Sequence, residues 1–168
     1  MIQKSAWLII FNMTKHKSKR LLKENYLQMI KKSPKTRMFR NFFLADENGK
    51  KSDTLKDGDL ACAFFVSCVL KIFSLIDYPH ATVDGAIKDM LENGWRRTKK
   101  LEPGNILLWE KNKKGHRHLG FYIGDKKAVS NFYEKRYPAI HHYINFWKTG
   151  ANQPERAIEQ IFTHPGIK

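Results

Sequence analysis

Apolar and polar positions along this chain follow two different periods, and the change comes past its middle. Residues 16–33 interleave lysines with Leu21, Leu22, Tyr26, Leu27, Met29 and Ile30, a spacing close to one helical face. Ser33-Pro34 closes that segment, because the residue before a proline avoids the α region. Turn chemistry follows at Asp46-Glu47-Asn48-Gly49 and Asp57-Gly58-Asp59. From Leu60 to Ile76 the chain is apolar nearly all round, with Lys71 its one charge, which predicts a helix buried inside a domain with Asp59 as its N-cap. Residues 82–93 predict an amphipathic helix capped by Thr82 and closed by Asn93-Gly94, with Val83, Ala86, Ile87, Met90 and Leu91 on one side.

Beyond residue 100 the period shortens. Ile106 to Trp109, His118 to Ile123 and Lys127 to Ser130 read as short strands, with a further one at His141 to Phe146. Turn residues at Pro103-Gly104, 111–115 and Gly124-Asp125 separate them. Helices followed by an antiparallel meander make an α+β order. A boundary within 45–57 divides a basic, largely helical extension over 1–50 from a main domain over 51–168.

Charge changes this picture at one end. Residues 1–56 hold 14 Lys and Arg against 4 Asp and Glu, and residues 57–168 hold 17 against 12, within a net charge of +15. A basic arm of this kind is drawn to a polyanion such as nucleic acid, an anionic membrane surface or an anionic wall polymer. The apolar stretch Ala6 to Phe11 is too short to span a bilayer, and Lys15, Lys17, Lys19 and Arg20 follow it in place of a cleavage site. The sequence thus shows no clear signal peptide and leaves a cytoplasmic location or export by another route.

Cys62 and Cys68 are the only cysteines, and their spacing is not that of a C-x-x-C metal or redox pair. Zinc needs three or four convergent ligands, and neither His116 with His118 nor the His141-His142 pair finds the rest, so no metal or cofactor is expected. Cys62 lies within the first turn of the predicted buried helix, where unpaired N–H groups favour a thiolate. Cys68, almost two turns further in, reads as an inert core thiol. A cysteine nucleophile needs an imidazole to take its proton and a polar group to orient that imidazole. His118 opens a strand on the same face as Gly120, a glycine that leaves room there for a substrate or helix. A hairpin at Gly124-Asp125 returns Ser130 or Asn131 beside it. Strand parity favours Ser130. Asn131, whose amide oxygen can accept from an imidazole N–H, is the better chemical choice and is taken as the third residue, through a bulge; His141 or His142 is the alternative, reaching the cleft if residues 141–146 form the neighbouring strand.

Three ordered segments resemble the NlpC-type cell-wall peptidases and the related CHAP amidases: the helix bearing Cys62, then Leu101-Glu102-Pro103-Gly104-Asn105-Ile106-Leu107, then His118-Leu119-Gly120-Phe121-Tyr122-Ile123-Gly124. The family pattern runs D-C-S-G-F-V, L-x-P-G-D-L and H-V-G-I-Y-I-G, and the likeness covers roughly residues 57–131. The resemblance implies a papain-like fold, with Cys62 as nucleophile, His118 as base, a third polar residue about a dozen positions later, and peptide or peptidoglycan-like substrates. Ala61, Ala63 and Phe64 replace the polar neighbours that in the family recognise the wall peptide. The expected function is a thiol hydrolase of amide bonds with Cys62, His118 and Asn131. The alternative is an inactive papain-like module docked on a polyanion by its basic arm.

Overall fold

The computed structural model describes residues 19–141, 144 and 156–167. Within them the chain is a mixed α+β protein of three α-helices and two antiparallel sheets. The first helix, α1 (Leu22–Lys32), has Glu24 in its first turn and Lys31 and Lys32 in its last, each matched to the helix dipole. It does not belong to a separate extension. Tyr26 and Ile30 are fully buried in the same cluster as Phe65, Val66 and Phe121, and the Tyr26 hydroxyl donates to the Gly104 carbonyl (3.0 Å). A hairpin, β1 (Phe43–Ala45) with β2 (Lys51–Asp53), also crosses the expected boundary at residue 50. Among the described residues of the expected extension, 19–50, the apolar stripe of α1 is buried in the main core. The stretch Ala6 to Phe11 lies outside the described residues.

The buried helix α2 runs Cys62–Ile72. Asp59 does not cap it. The chain winds through Leu55–Leu60 with positive φ at Lys56, Asp57 and Gly58, the Asp59 and Leu60 N–H groups go to Lys56 and Leu55 carbonyls, and Ala61 becomes the N-cap. Cys62 is consequently the first helical residue. At the other end Ser74 adopts φ 57°, the Leu75 N–H reaches the Leu70 carbonyl and the Ser74 N–H reaches that of Lys71. This Schellman closure stops the helix while the apolar run continues as buried loop through Leu75 and Ile76. The third helix, α3 (Val83–Glu92), begins at Thr82, whose hydroxyl accepts the Gly85 N–H, and closes through Asn93 and Gly94 (φ 87°).

The main sheet contains β3 (Arg96–Thr98), β4 (Ile106–Trp109), β5 (His118–Gly124), β6 (Lys127–Phe132), β7 (Tyr137–His141) and β8 (Ile158–Thr163), in the order β3-β8-β4-β5-β6-β7. A meander holds only for β4 to β7, since β8 enters between β3 and β4. Its last strand among the described residues is Tyr137–His141, and of the strand expected over 141–146 residues 142, 143, 145 and 146 lie outside them; Pro138 is tolerated because β7 is an edge among the described strands. The β5–β6 turn has Asp125 and Lys126 both at positive φ, the two-residue geometry that matches strand twist. One sheet face, with Ile106, Leu108, Leu119, Phe121 and Val129, packs with α2 in the main core. On the opposite face Leu107, Trp109, Tyr122 and Ala128 form a second cluster with Ile144 and Ile158.

Candidate active site

Cys62 stands at the junction of α2 and the central strand β5. The backbone N–H groups of Leu119, Ala63 and Cys62 itself lie near enough to its sulfur to favour the thiolate. Tyr122, an even-numbered residue of β5, turns its N–H and carbonyl toward residues 104 and 105 on the β4 side, so odd-numbered residues address β6. β5 and β6 pair from Gly120↔Ser130 to Gly124↔Lys127, with the register shifting between Tyr122 and Gly124. Leu119, one place before that pairing, has its N–H close to the thiol, so the residue adjoining His118 neighbours Cys62.

His118 lies on the Trp109 face of β5, its ring 5.6 Å from the indole and its Nε2 2.8 Å from the Ser130 hydroxyl. The same hydroxyl is 2.5 Å from His141 Nε2. His141 lies diagonal to Ser130, because the register places Ser130 opposite Ala139 and His141 opposite Ala128. Trp109 and Phe132 pack around the His141 ring at 6.2 and 5.2 Å. Ser130 is fully buried.

Asn131 is not part of this arrangement. Its side chain is buried and its Nδ2 donates to the Gly58 carbonyl (2.7 Å), tying β6 to the turn ahead of α2. The bulge that would have turned it inward is absent from the β6–β7 register, which runs without a shift through Asn131↔Pro138. Strand parity outweighs amide chemistry here, and Ser130 takes the place beside His118.

Gly120 also has a role different from the expected one. A Cβ there would come within 2.6 Å of the Ser130 Cβ, 2.8 Å of the Val129 carbonyl oxygen and 2.9 Å of the Trp109 ring. The space left by the missing side chain holds Trp109 and Ser130, the two residues that wall in His118, and not a substrate. Ala61 and Ala63 are buried in the core, and Phe64 stacks on Phe42 at 5.0 Å. The apolar residues flanking Cys62 are thus packing residues.

Electrostatics keep both partners neutral at rest. Cys62 is half-buried as a residue, yet its sulfur is deep enough for burial to push the thiol above its ordinary range. The three N–H groups and the positive charge of Arg156 oppose that push and do not cancel it. The helix start therefore acts in the expected direction but is outweighed. Burial, then Arg156, then His141 hold His118 well below the usual imidazole range. His141 is pushed down to about 4, first by burial and then by Lys135. Arg156 itself is held by the carbonyls of Glu110 and His116. Cys68 is pushed up to about 11 by burial.

Nothing in the sequence signalled Arg156. Of the two histidines at 141 and 142, His141 is the one in line with Ser130, at the end of β7. His142 lies outside the described residues. Among the described residues no group of three or more His, Cys, Asp or Glu is placed to share a metal ion, and no helix is long and apolar enough to cross a membrane. Compared with family models, with curated proteins and with solved structures, the chain gives no match.

Proposed function

We propose that this protein is a papain-like thiol hydrolase of amide bonds, with Cys62 as nucleophile and His118 as general base. The observation that supports this most directly is the Cys62 thiol at the first residue of α2, close to the backbone N–H of Leu119 next to His118, with His118 Nε2 set against Ser130. With Nε2 engaged, Nδ1 is the nitrogen that takes the thiol proton.

Because thiol and imidazole are both neutral at rest, proton transfer accompanies attack and no ion pair stands ready beforehand. Sulfur adds to the carbonyl carbon as its proton passes to His118. The tetrahedral intermediate then expels the amine, which leaves with that proton. Water attacks the resulting thioester, His118 takes a proton from it, and the acid departs as the thiol is restored. The Cys62 backbone N–H at the helix start supplies a donor for the developing oxyanion. Peptide or peptidoglycan-like amides are the substrate class, with specificity set elsewhere than at positions 61, 63 and 64.

An activated acyl ester such as p-nitrophenyl acetate tests the reading, with Cys68 as internal control. Peptide mapping by mass spectrometry should find Cys62 acylated at least 100-fold faster than Cys68, and His118→Ala should remove about 100-fold of that rate. Equal labelling of the two thiols, unchanged by His118→Ala, would sink the enzyme and leave the polyanion-binding module. DNA binding with a steep salt dependence would then be expected.

A further inference from the structure

We infer that His141 is a positioning residue that acts through Ser130 to select the tautomer of His118. The inference rests on the hydrolase reading for its purpose, but its geometry stands alone: one hydroxyl lies between two imidazole Nε2 atoms, at 2.8 and 2.5 Å.

A serine hydroxyl has one proton to give and lone pairs with which to accept. Between two neutral imidazoles it donates to one and accepts from the other, so the two ring tautomers are coupled. If Ser130 donates to His141, then His118 carries its own proton on Nε2, donates it to Ser130, and has Nδ1 unprotonated. If Ser130 donates to His118, the proton of His118 is on Nδ1, and that nitrogen cannot accept the thiol proton. The reactive state thus requires His141 to present a bare Nε2. The surroundings hold that state in place. Trp109 and Phe132 pack against His141, Lys135 opposes added positive charge on it, and Arg156 does so on His118.

A direct carboxylate or amide partner, such as Asn131 was expected to be, orients an imidazole by accepting from it. Here the accepting group next to His118 is also a donor, and its direction is decided one residue further on. His141 is therefore not exchangeable for an apolar residue of similar bulk. In His141→Leu the Ser130 hydroxyl has lost its acceptor and turns to His118 Nε2, locking the wrong tautomer.

Nitrogen-15 NMR of uniformly labelled protein at neutral pH reads the tautomers directly, alongside acylation of Cys62 by p-nitrophenyl acetate. The wild-type protein should show His118 protonated on Nε2 and His141 on Nδ1. His141→Leu should move the His118 proton to Nδ1 and slow acylation at least tenfold, while His141→Gln, whose amide oxygen can accept from Ser130, keeps both near wild type. Ser130→Ala with His141→Leu should be no slower than Ser130→Ala alone, since both act along one path. A wild-type His118 protonated on Nδ1 overturns the inference even where Cys62 proves reactive. So does a folded His141→Leu protein with tautomer and rate unchanged. Equal labelling of Cys62 and Cys68 in the wild type overturns the hydrolase reading, which the NMR arm does not test.

Discussion

Two histidines of this protein each set a ring nitrogen against a side-chain oxygen, and the oxygens make them opposites. His80 Nε2 meets the Asp89 carboxylate at 2.6 Å. Asp89 also accepts the Asp77 and Tyr78 N–H groups at 3.0 Å each and the Asn93 amide at 2.7 Å. Burial raises its pKa, but these bonds outweigh that and hold the carboxyl below its ordinary range. The cluster ends on a carboxylate with every partner supplied, and it fastens the loop after α2 to α3. His118 meets a hydroxyl, which must hand its proton onward. An oxygen that only accepts makes a fastening, whereas one that accepts and donates makes a connection.

The largest effect expected from breaking this contrast is in Asp89→Ala. The Asp77 and Tyr78 N–H groups, His80 and Asn93 would lose this part-buried acceptor, at a cost of about 3 to 4 kcal/mol in urea unfolding. The rate of Cys62 acylation should be unchanged in the folded fraction, and a matching loss of rate would erase the distinction between the two histidines.

Acid should separate the same two groups. His141 titrates near 4 in the folded protein and near 6.5 when unfolded. The unfolded chain therefore binds more protons between those values, and stability falls as pH drops through that window, by roughly 3 kcal/mol from His141. His118, shifted in the same direction, adds to the loss. Asp89, with its depressed pKa, contributes stability above its unfolded value that is lost only at lower pH. Thermal unfolding scanned from pH 7 to 4 should show the decline, and His141→Gln should flatten it; a flat wild-type profile would contradict the neutral buried imidazole.

Gly120→Ala should cost about 2 kcal/mol, because its neighbours are backbone and a rigid indole that cannot yield cheaply. It should also slow acylation by displacing Ser130, sharpening the claim that this glycine shapes the His118 wall. Asn131→Ala is the smallest change, about 1 kcal/mol for the lost bond to Gly58. If it slowed acylation as much as Ser130→Ala does, Asn131 would return to the site.

Legibility in the sequence followed the range of the interactions. β4 and β5 were readable because continuous apolar runs meet sharp turns, and Thr82 announced α3 through a local cap. β3 was not, since Arg96-Arg97-Thr98 is an exposed polar edge whose partner, β8, lies about sixty residues later. The places of Cys62 at the start of α2 and of His118 at the start of β5 were legible by order along the chain. The third residue was not settled, because parity and amide chemistry pointed to adjacent positions, and only the regular β6–β7 register decides between them. His141 could not be told from His142, because Pro138 reads as a strand breaker unless the strand is known to be an edge, so a strand ending at His141 was not expected.

The place of β8 has a consequence for the order in which this protein is made. Strands β4 to β7 leave the ribosome together and can close hairpin by hairpin, bringing His118, Ser130 and His141 into line early. The strand that seals the other side of β4 arrives about fifty residues after it, pairing Trp109 with Ile158. Until then the nascent chain presents β4, four buried apolar residues in a row, as an open sheet edge. Slow elongation between residues 110 and 158 is thus the interval in which this protein is most exposed to aggregation, and when a holdase chaperone would help it most.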